Sequence, residues 1–191
     1  MKRKCGIVFM FAGTALILAA LSLFLWNLNE DRLAGAAAEE ILPQVVDEID
    51  VPDLYGTEMT AVEIDGYYYI GYLSIPSLDL ELPVMRDWSY PQLKISPCRY
   101  YGSARTDDLV IAAHNYARHF GNLKTLSAGD MVYFTDMDGI VSAYKVAEID
   151  IISPAAVSEM TDSGYALTLF TCTYGGASRV TVRCERMEEM Q

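Results

Sequence analysis

Basic residues are scarce in this chain. Its 191 residues hold 14 Lys and Arg against 26 Asp and Glu, a net charge of −12. Three of those cations, Lys2, Arg3 and Lys4, crowd the N-terminus, so the remainder is more acidic still. A phosphate backbone demands basic patches, which excludes nucleic acid as an expected partner. An acidic surface instead suits an exported domain and favours a cationic substrate or partner. Histidine is scarcer: His114 and His119 are the only two. Of the four cysteines, Cys5 precedes the one long apolar run, where a lipoprotein cysteine could not stand, and Cys98, Cys172 and Cys184 follow it. An odd number beyond the run implies at least one free thiol. Nothing local brings Cys98 and Cys184 together, so two separate thiols are expected there rather than a disulfide. Internal repeats and low-complexity segments are absent.

The apolar run is IVFMFAGTALILAALSLFLW, Ile7 to Trp26. About 20 residues at ~1.5 Å each span roughly 30 Å, the hydrocarbon thickness of a bilayer. Cations before it and Glu30 and Asp31 after it favour an N-terminus in the cytoplasm and the remainder outside. A cleaved signal peptide is the competing reading, but the small-residue sites at Ala34-Gly-Ala36 and Ala36-Ala-Ala38 lie well past the run. The Ala- and Glu-rich stretch that follows reads as a helix broken at Pro43, a spacer lifting the rest off the membrane.

From Thr60 the pattern becomes one of short strands. Thr60 to Ile64, a turn at Asp65-Gly66 and Tyr67 to Ile75 form a hairpin signal. Further candidates are Leu78 to Val84, Leu109 to Ala113, Met131 to Thr135, Ile140 to Ile149, Leu167 to Cys172 and Val180 to Cys184. Asp136-Met-Asp-Gly139 has a spacing that hints at calcium, but too few ligands follow, and a hairpin turn is the better reading. Short helices are expected only near Phe120 to Leu126 and Ala155 to Met160. Many closely spaced strands with few helices predict a mainly β chain, a barrel or sandwich.

Three residues stand out for their placement. Cys172 ends one strand, flanked by threonines, and His114 ends another behind the small Ala112 and Ala113. A thiol that attacks and an imidazole that moves the proton are what nucleophilic catalysis needs. Arg179 re-enters beside Cys172 after a short turn, where a guanidinium could stabilise a developing oxyanion. Arg183 shares its strand face but lies roughly 13 Å further on; it reads as a surface or ion-pair residue and is the runner-up for the oxyanion role.

Thr168-Leu-Phe-Thr-Cys172 followed by Arg179-Val-Thr-Val resembles the Thr-Leu-x-Thr-Cys…Arg signature of the sortases, membrane-anchored cysteine transpeptidases of Gram-positive bacteria. Val110-Ile-Ala-Ala-His114-Asn is similar to that family's strand ending in Gly-His-Asn, with Ala113 in the place of glycine. Gly71 to Val84, His119-Phe-Gly-Asn-Leu-Lys and Leu126-Ser-Ala-Gly-Asp130 resemble further family segments. The likeness covers about Tyr67 to Glu185. The order histidine, cysteine, arginine does not fit papain-like peptidases, which put the cysteine first.

The resemblance implies an eight-stranded sortase-type β-barrel with a few short helices behind an N-terminal transmembrane helix. The chain would divide into a cytoplasmic tip (1–6), an anchor (7–26), a helical spacer (27–55) and a catalytic domain (56–191). Cys172 would be the nucleophile, His114 the general acid and base, and Arg179 the oxyanion or substrate-orienting group, with Thr171, Ala113 and Asn115 contributing to the substrate groove. No metal or other cofactor is implied. The substrate would be a surface protein with a Leu-Pro-x-Thr-Gly-like sorting signal, and the acceptor an amine of a peptidoglycan precursor or a pilin lysine. The same residues with water as acceptor would give a hydrolase, and an inactive relative would be a tethered binding domain. The class stays open: His119 and the Tyr-rich start are similar to class B members, while the Asp-Pro-aromatic lid signature of the pilus-assembling class is reduced to a scrambled echo at Val51-Pro-Asp-Leu-Tyr55. Substrate choice is expected in the loop between Ile151 and Ala166.

Overall fold

A computed structural model describes residues 2–49 and 57–187 of the chain, so the echo at 51–55 lies outside the described residues. Its β-strands form one sheet that closes on itself. Asp65 and Gly66 both take positive φ (51° and 80°), as a two-residue hairpin turn requires, and join β1 (Val62–Ile64) to β2 (Tyr67–Ile75). β3 (Leu80–Met85), β4 (Cys98–Tyr101), β5 (Leu109–Ala112), β6 (Met131–Asp136), β7 (Val141–Ile152), β8 (Leu167–Cys172) and β9 (Arg179–Arg186) follow. The order β2-β3-β4-β5-β8-β9-β7-β6 returns to β2, which gives eight strands in the ring with β1 appended outside it. The seam runs through Gly71, where β2 pairs with both β3 and β6. Its φ is 139°, and a Cβ there would stand 2.0 Å from the Thr135 carbonyl oxygen, so only glycine lets the ring close.

Side-chain parity splits the sheet into two apolar faces. Leu109 and Ile111 of β5, Leu167 and Leu169 of β8 and Val182 and Cys184 of β9 belong to the larger, inner cluster. Val110, Ala112 and Phe170 belong to a second cluster on the opposite face, with Tyr69, Met85 and Cys98. Cys98 and Cys184 are therefore free thiols in separate clusters, both fully buried.

The second cluster is covered by α1 (Lys2–Asp47), which is 46 residues and roughly 70 Å long. Its apolar side chains from Met10 to Trp26 are exposed, and the helix is long and apolar enough to cross a membrane. Further on, Ala34, Ala38, Ile41 and Val45 form a buried stripe at helical spacing against the barrel. The segment read as a spacer is thus docked, and it is not broken at Pro43. A mid-helix proline costs about 3 kcal/mol. Burying Ile41 and Val45 on either side of it returns about 1.5–3 kcal/mol each, enough to carry the helix one more turn.

Other departures are local. Pro76–Leu78 forms a 3₁₀ turn, so β3 starts only at Leu80, after Asp79 in a left-handed conformation. The expected helix at 120–126 shrinks to a 3₁₀ turn over Leu123–Thr125, and the second is α3 (Val157–Thr161). A one-turn helix, α2 (Tyr90–Leu93), capped by Ser89, was not signalled by periodicity. The Asp136–Gly139 segment is the β6–β7 turn. Asp136 accepts from the amides of Asp138 and Ile140 (3.0 Å each) and from the Arg105 guanidinium (3.1 Å). Asp138 bonds Thr60 and the same arginine. Its carboxylates already hold an organic cation.

Candidate active site

The parallel pairing of β5 and β8 sets the site. Ala112 stands opposite Phe170, and the Ala113 amide donates to the Phe170 carbonyl (3.2 Å). Continued two residues, that register brings His114 level with Cys172. The antiparallel pairing of β8 and β9 puts Arg179 directly opposite Cys172. Cys172 shares parity with Phe170, and His114 with Ala112, so both belong to the outer face of the barrel at one rim. Cys172, His114 and Arg179 line a single cavity of about 150 Å³. Asn115 lines two adjoining clefts that Cys172 also borders.

Thr171 and Ala113 have the opposite parity and are buried. The Thr171 hydroxyl donates to the Ala113 carbonyl (2.8 Å) across the two strands. Its proton is thereby committed to the backbone, while the residue still borders the smallest of the clefts around Cys172, on the side expected from sequence. It clamps the backbone that presents His114 to the backbone that presents Cys172. Ala113 borders the cavity as a small wall residue.

The β8–β9 loop is held by Thr173, whose amide donates to the Ser178 carbonyl (3.0 Å). Gly175 and Gly176 take φ of 79° and 73° there, which side chains resist. Arg179 Nη1 donates to the carbonyls of Gly176 and Ser178 (3.1 Å each), while Nε and Nη2 carry no hydrogen bond among the described residues. Arg183 is buried rather than on the surface: it pairs with Asp150 (3.1 Å) and donates to the Glu159 carbonyl (2.9 Å), fixing α3 to β9.

His114 is partly buried, and its Nε2 has no hydrogen-bond partner among the described residues. Burial lowers its pKa, Lys94 lowers it further and Glu30 opposes them, so the imidazole rests neutral near pH 7. Its ring lies 4.9 Å from that of Tyr116, centroid to centroid, and Tyr116 lies 5.7 Å from His119. Glu30 on α1 pairs with Lys94 (3.0 Å) and accepts from the Tyr116 hydroxyl (3.5 Å), which ties the helix to the histidine loop.

His119 is fully buried beneath α1 near Ala34, with neither ring nitrogen well bonded, and burial pushes its pKa down to about 4. A depressed pKa means that folding favours the neutral ring. Its contribution is complete above pH 6.5 and is lost as the pH falls toward 4. That loss is about 3 kcal/mol by linkage. Thermal melts of the detergent-solubilised chain at pH 7 and 4.5 should therefore converge when His119→Phe removes the titrating ring. An unchanged pH dependence in that variant would refute the assignment.

Sequence reasoning missed most of the cavity wall. Trp88, Tyr90, Leu93, Tyr100, Met160 and Phe170 line it. Trp88 touches both tyrosines edge-on or tilted, and Tyr100 meets Phe170 edge-on at 5.2 Å. The aromatic density of Trp88-Ser-Tyr90 before Pro91, with both rings exposed, was the available signal.

A family profile, the Sortase domain, matches residues 73–187. Sortase A of Bacillus anthracis is 28% identical over 134 residues, 65% of this chain and 61% of that protein. The structure of sortase C1 from Streptococcus suis is 27% identical with a TM-score of 0.54, over 64% of this chain and 74% of that one. A Clostridium perfringens sortase D5 shares the fold at a TM-score of 0.63 and 17% identity, over 80% of this chain and 99% of that one. With the profile spanning more than half of the residues, and the closed eight-stranded barrel beneath it, the chain belongs to the sortase family.

Proposed function

We propose that this protein is a cysteine transpeptidase that cleaves a Leu-Pro-x-Thr-Gly-like sorting signal and passes the acyl chain to an amine. One observation carries the reading: adjacent strands β5, β8 and β9 deliver an imidazole, a thiol and a guanidinium to one rim and one cavity. The aromatic wall from Trp88 to Phe170 suits the apolar and proline side chains that open such a signal. Pro154 and Met160 of the β7–β8 connection complete it, which supports a role for that loop in substrate choice. Helix α1 holds the domain at the outer membrane surface, N-terminus inside, in keeping with the cations at Lys2 to Lys4.

In the acylation step, neutral His114 takes the Cys172 proton and the sulfur attacks the scissile carbonyl. The Arg179 guanidinium, turned from its loop carbonyls toward the groove, meets the oxyanion. The imidazolium then protonates the leaving nitrogen as the C–N bond breaks, leaving a thioester on Cys172.

A library of Leu-Pro-x-Thr-Gly-type peptides given to the detergent-solubilised full chain tests this. Intact-mass measurement should find an acyl adduct that maps to Cys172, and hydroxylamine or triglycine should convert it to hydroxamate or ligated product. Product from water alone, with either amine present, would favour a sorting-signal hydrolase instead.

A further inference from the structure

Cys172 also borders a larger cleft of about 430 Å³, whose lining shares only that residue with the aromatic cavity. One of its walls is the outer end of the anchor helix. Phe24, Leu28 and Asp31 of α1 face Tyr116 and the hairpin-tip Tyr174, with Cys172 shared between the two spaces. Asp31 is the sole charged residue among those lining the cleft. One of its carboxylate oxygens accepts a long bond from the Arg118 amide (3.4 Å), and the other has no partner among the described residues. The helix is held in this position by Glu30 with Lys94, Arg118 with Glu39, and Gly35, whose missing side chain makes room for Arg118.

A group-transfer site needs two approaches to one sulfur, one for the acyl chain and one for the group that receives it. The aromatic cavity contains His114 and Arg179 and fits the first. Among the described residues that line it, the second space has a lone carboxylate, two tyrosines and no cation, so its field and its rings both favour a positive nitrogen.

We propose that this cleft is the acceptor site and that Asp31 of the anchor helix binds the cationic amine that attacks the thioester. The inference rests on the transpeptidase reading above. Asp31 accepts a charge-assisted hydrogen bond from the ammonium and keeps the nitrogen in the cleft. The ammonium loses one proton to solvent, and the amine attacks the thioester carbonyl. As the N–C bond forms, a second proton passes to His114. The C–S bond breaks and Cys172 leaves as thiolate. The departing half of the sorting signal occupies the same space, but in the intact signal its nitrogen is an uncharged amide. Acylation therefore does not draw on the Asp31 charge, whereas acceptor binding does.

The test uses full chain in detergent micelles and the best peptide from the library screen. Transfer is measured against triglycine, charged at neutral pH, and against hydroxylamine, which is uncharged there, with acyl-enzyme formation as the internal reference. Asp31→Asn should raise the triglycine concentration for half-maximal transfer about tenfold, the size of one charge-assisted bond. Hydroxylamine transfer should keep its concentration dependence. Glu40→Gln, at an exposed position on the same helix outside the cleft, controls for net charge and should match wild type. An unchanged triglycine response in Asp31→Asn, or an equal loss for both amines, would overturn the acceptor role while leaving the transpeptidase reading intact. Failure of the wild-type chain to form any acyl-enzyme would sink both.

Discussion

Cys172→Ala is expected to eliminate the acyl-enzyme and to lower turnover of a sorting peptide to background, a loss on the order of a million-fold for a removed nucleophile. Folding should be untouched, because the side chain ends β8 at a half-exposed rim and fills no core position. Thiol chemistry supplies an independent reading. Cys98 and Cys184 are completely buried, and burial pushes both of their thiols up to about 12, so neither presents an accessible thiolate near neutral pH. Iodoacetamide applied to the folded chain, followed by peptide mapping of the three cysteines beyond the anchor, should therefore modify Cys172 and spare Cys98 and Cys184, with activity falling in step. Labelling of Cys98 or Cys184 at the Cys172 rate would mean that the barrel is not closed as described. Retained cleavage in Cys172→Ala would remove the nucleophile assignment.

What could be read from residues alone divides along the range of the forces involved. The β8–β9 hairpin was legible because alternation and a Gly-Gly turn are local signals, and they place Arg179 against Cys172 directly. The barrel seam was not: Gly71 looks like any strand glycine until β6 arrives from far along the chain. β4 escaped notice because four residues, Cys98-Arg-Tyr-Tyr101, held to β3 by a single bridge, carry too little pattern. The role of Thr171 was available in principle. Leu167, Leu169 and Thr171 share a face, and since the leucines point inward so must the threonine, which makes it a clamp on Ala113. The aromatic wall joins residues from β4, β8, α2 and the segment before α2, and that convergence is tertiary. The docked half of α1 did leave a trace, the stripe Ala34, Ala38, Ile41 and Val45, but Pro43 outweighed it as a local signal. Packing reversed the order of those two terms.

His114 offers the second large effect, and its neighbours make it diagnostic. His114→Gln should lower the acylation rate by about 10²–10⁴-fold, the usual contribution of a positioned acid and base. Because burial depresses the imidazole pKa below its ordinary 6.5, the ring is neutral and able to take the Cys172 proton at neutral pH. The sign then follows. Activity is full above the folded pKa and falls as the pH drops through it, so the acid limb of kcat/KM should have its midpoint below 6.5. Three groups face the ring from separate elements: Lys94 beyond α2, Glu30 on α1 and Tyr116 on its own loop. Removing the cation with Lys94→Met should move the limb to higher pH. Removing the anion with Glu30→Gln should move it to lower pH. A limb that stays fixed in both variants belongs to some other group, and the proton would then have to travel by a route that bypasses His114. Opposite shifts of the limb in the two variants, with the His114→Gln profile flat, would tie the anchor helix to the chemistry through the charge it carries at Glu30.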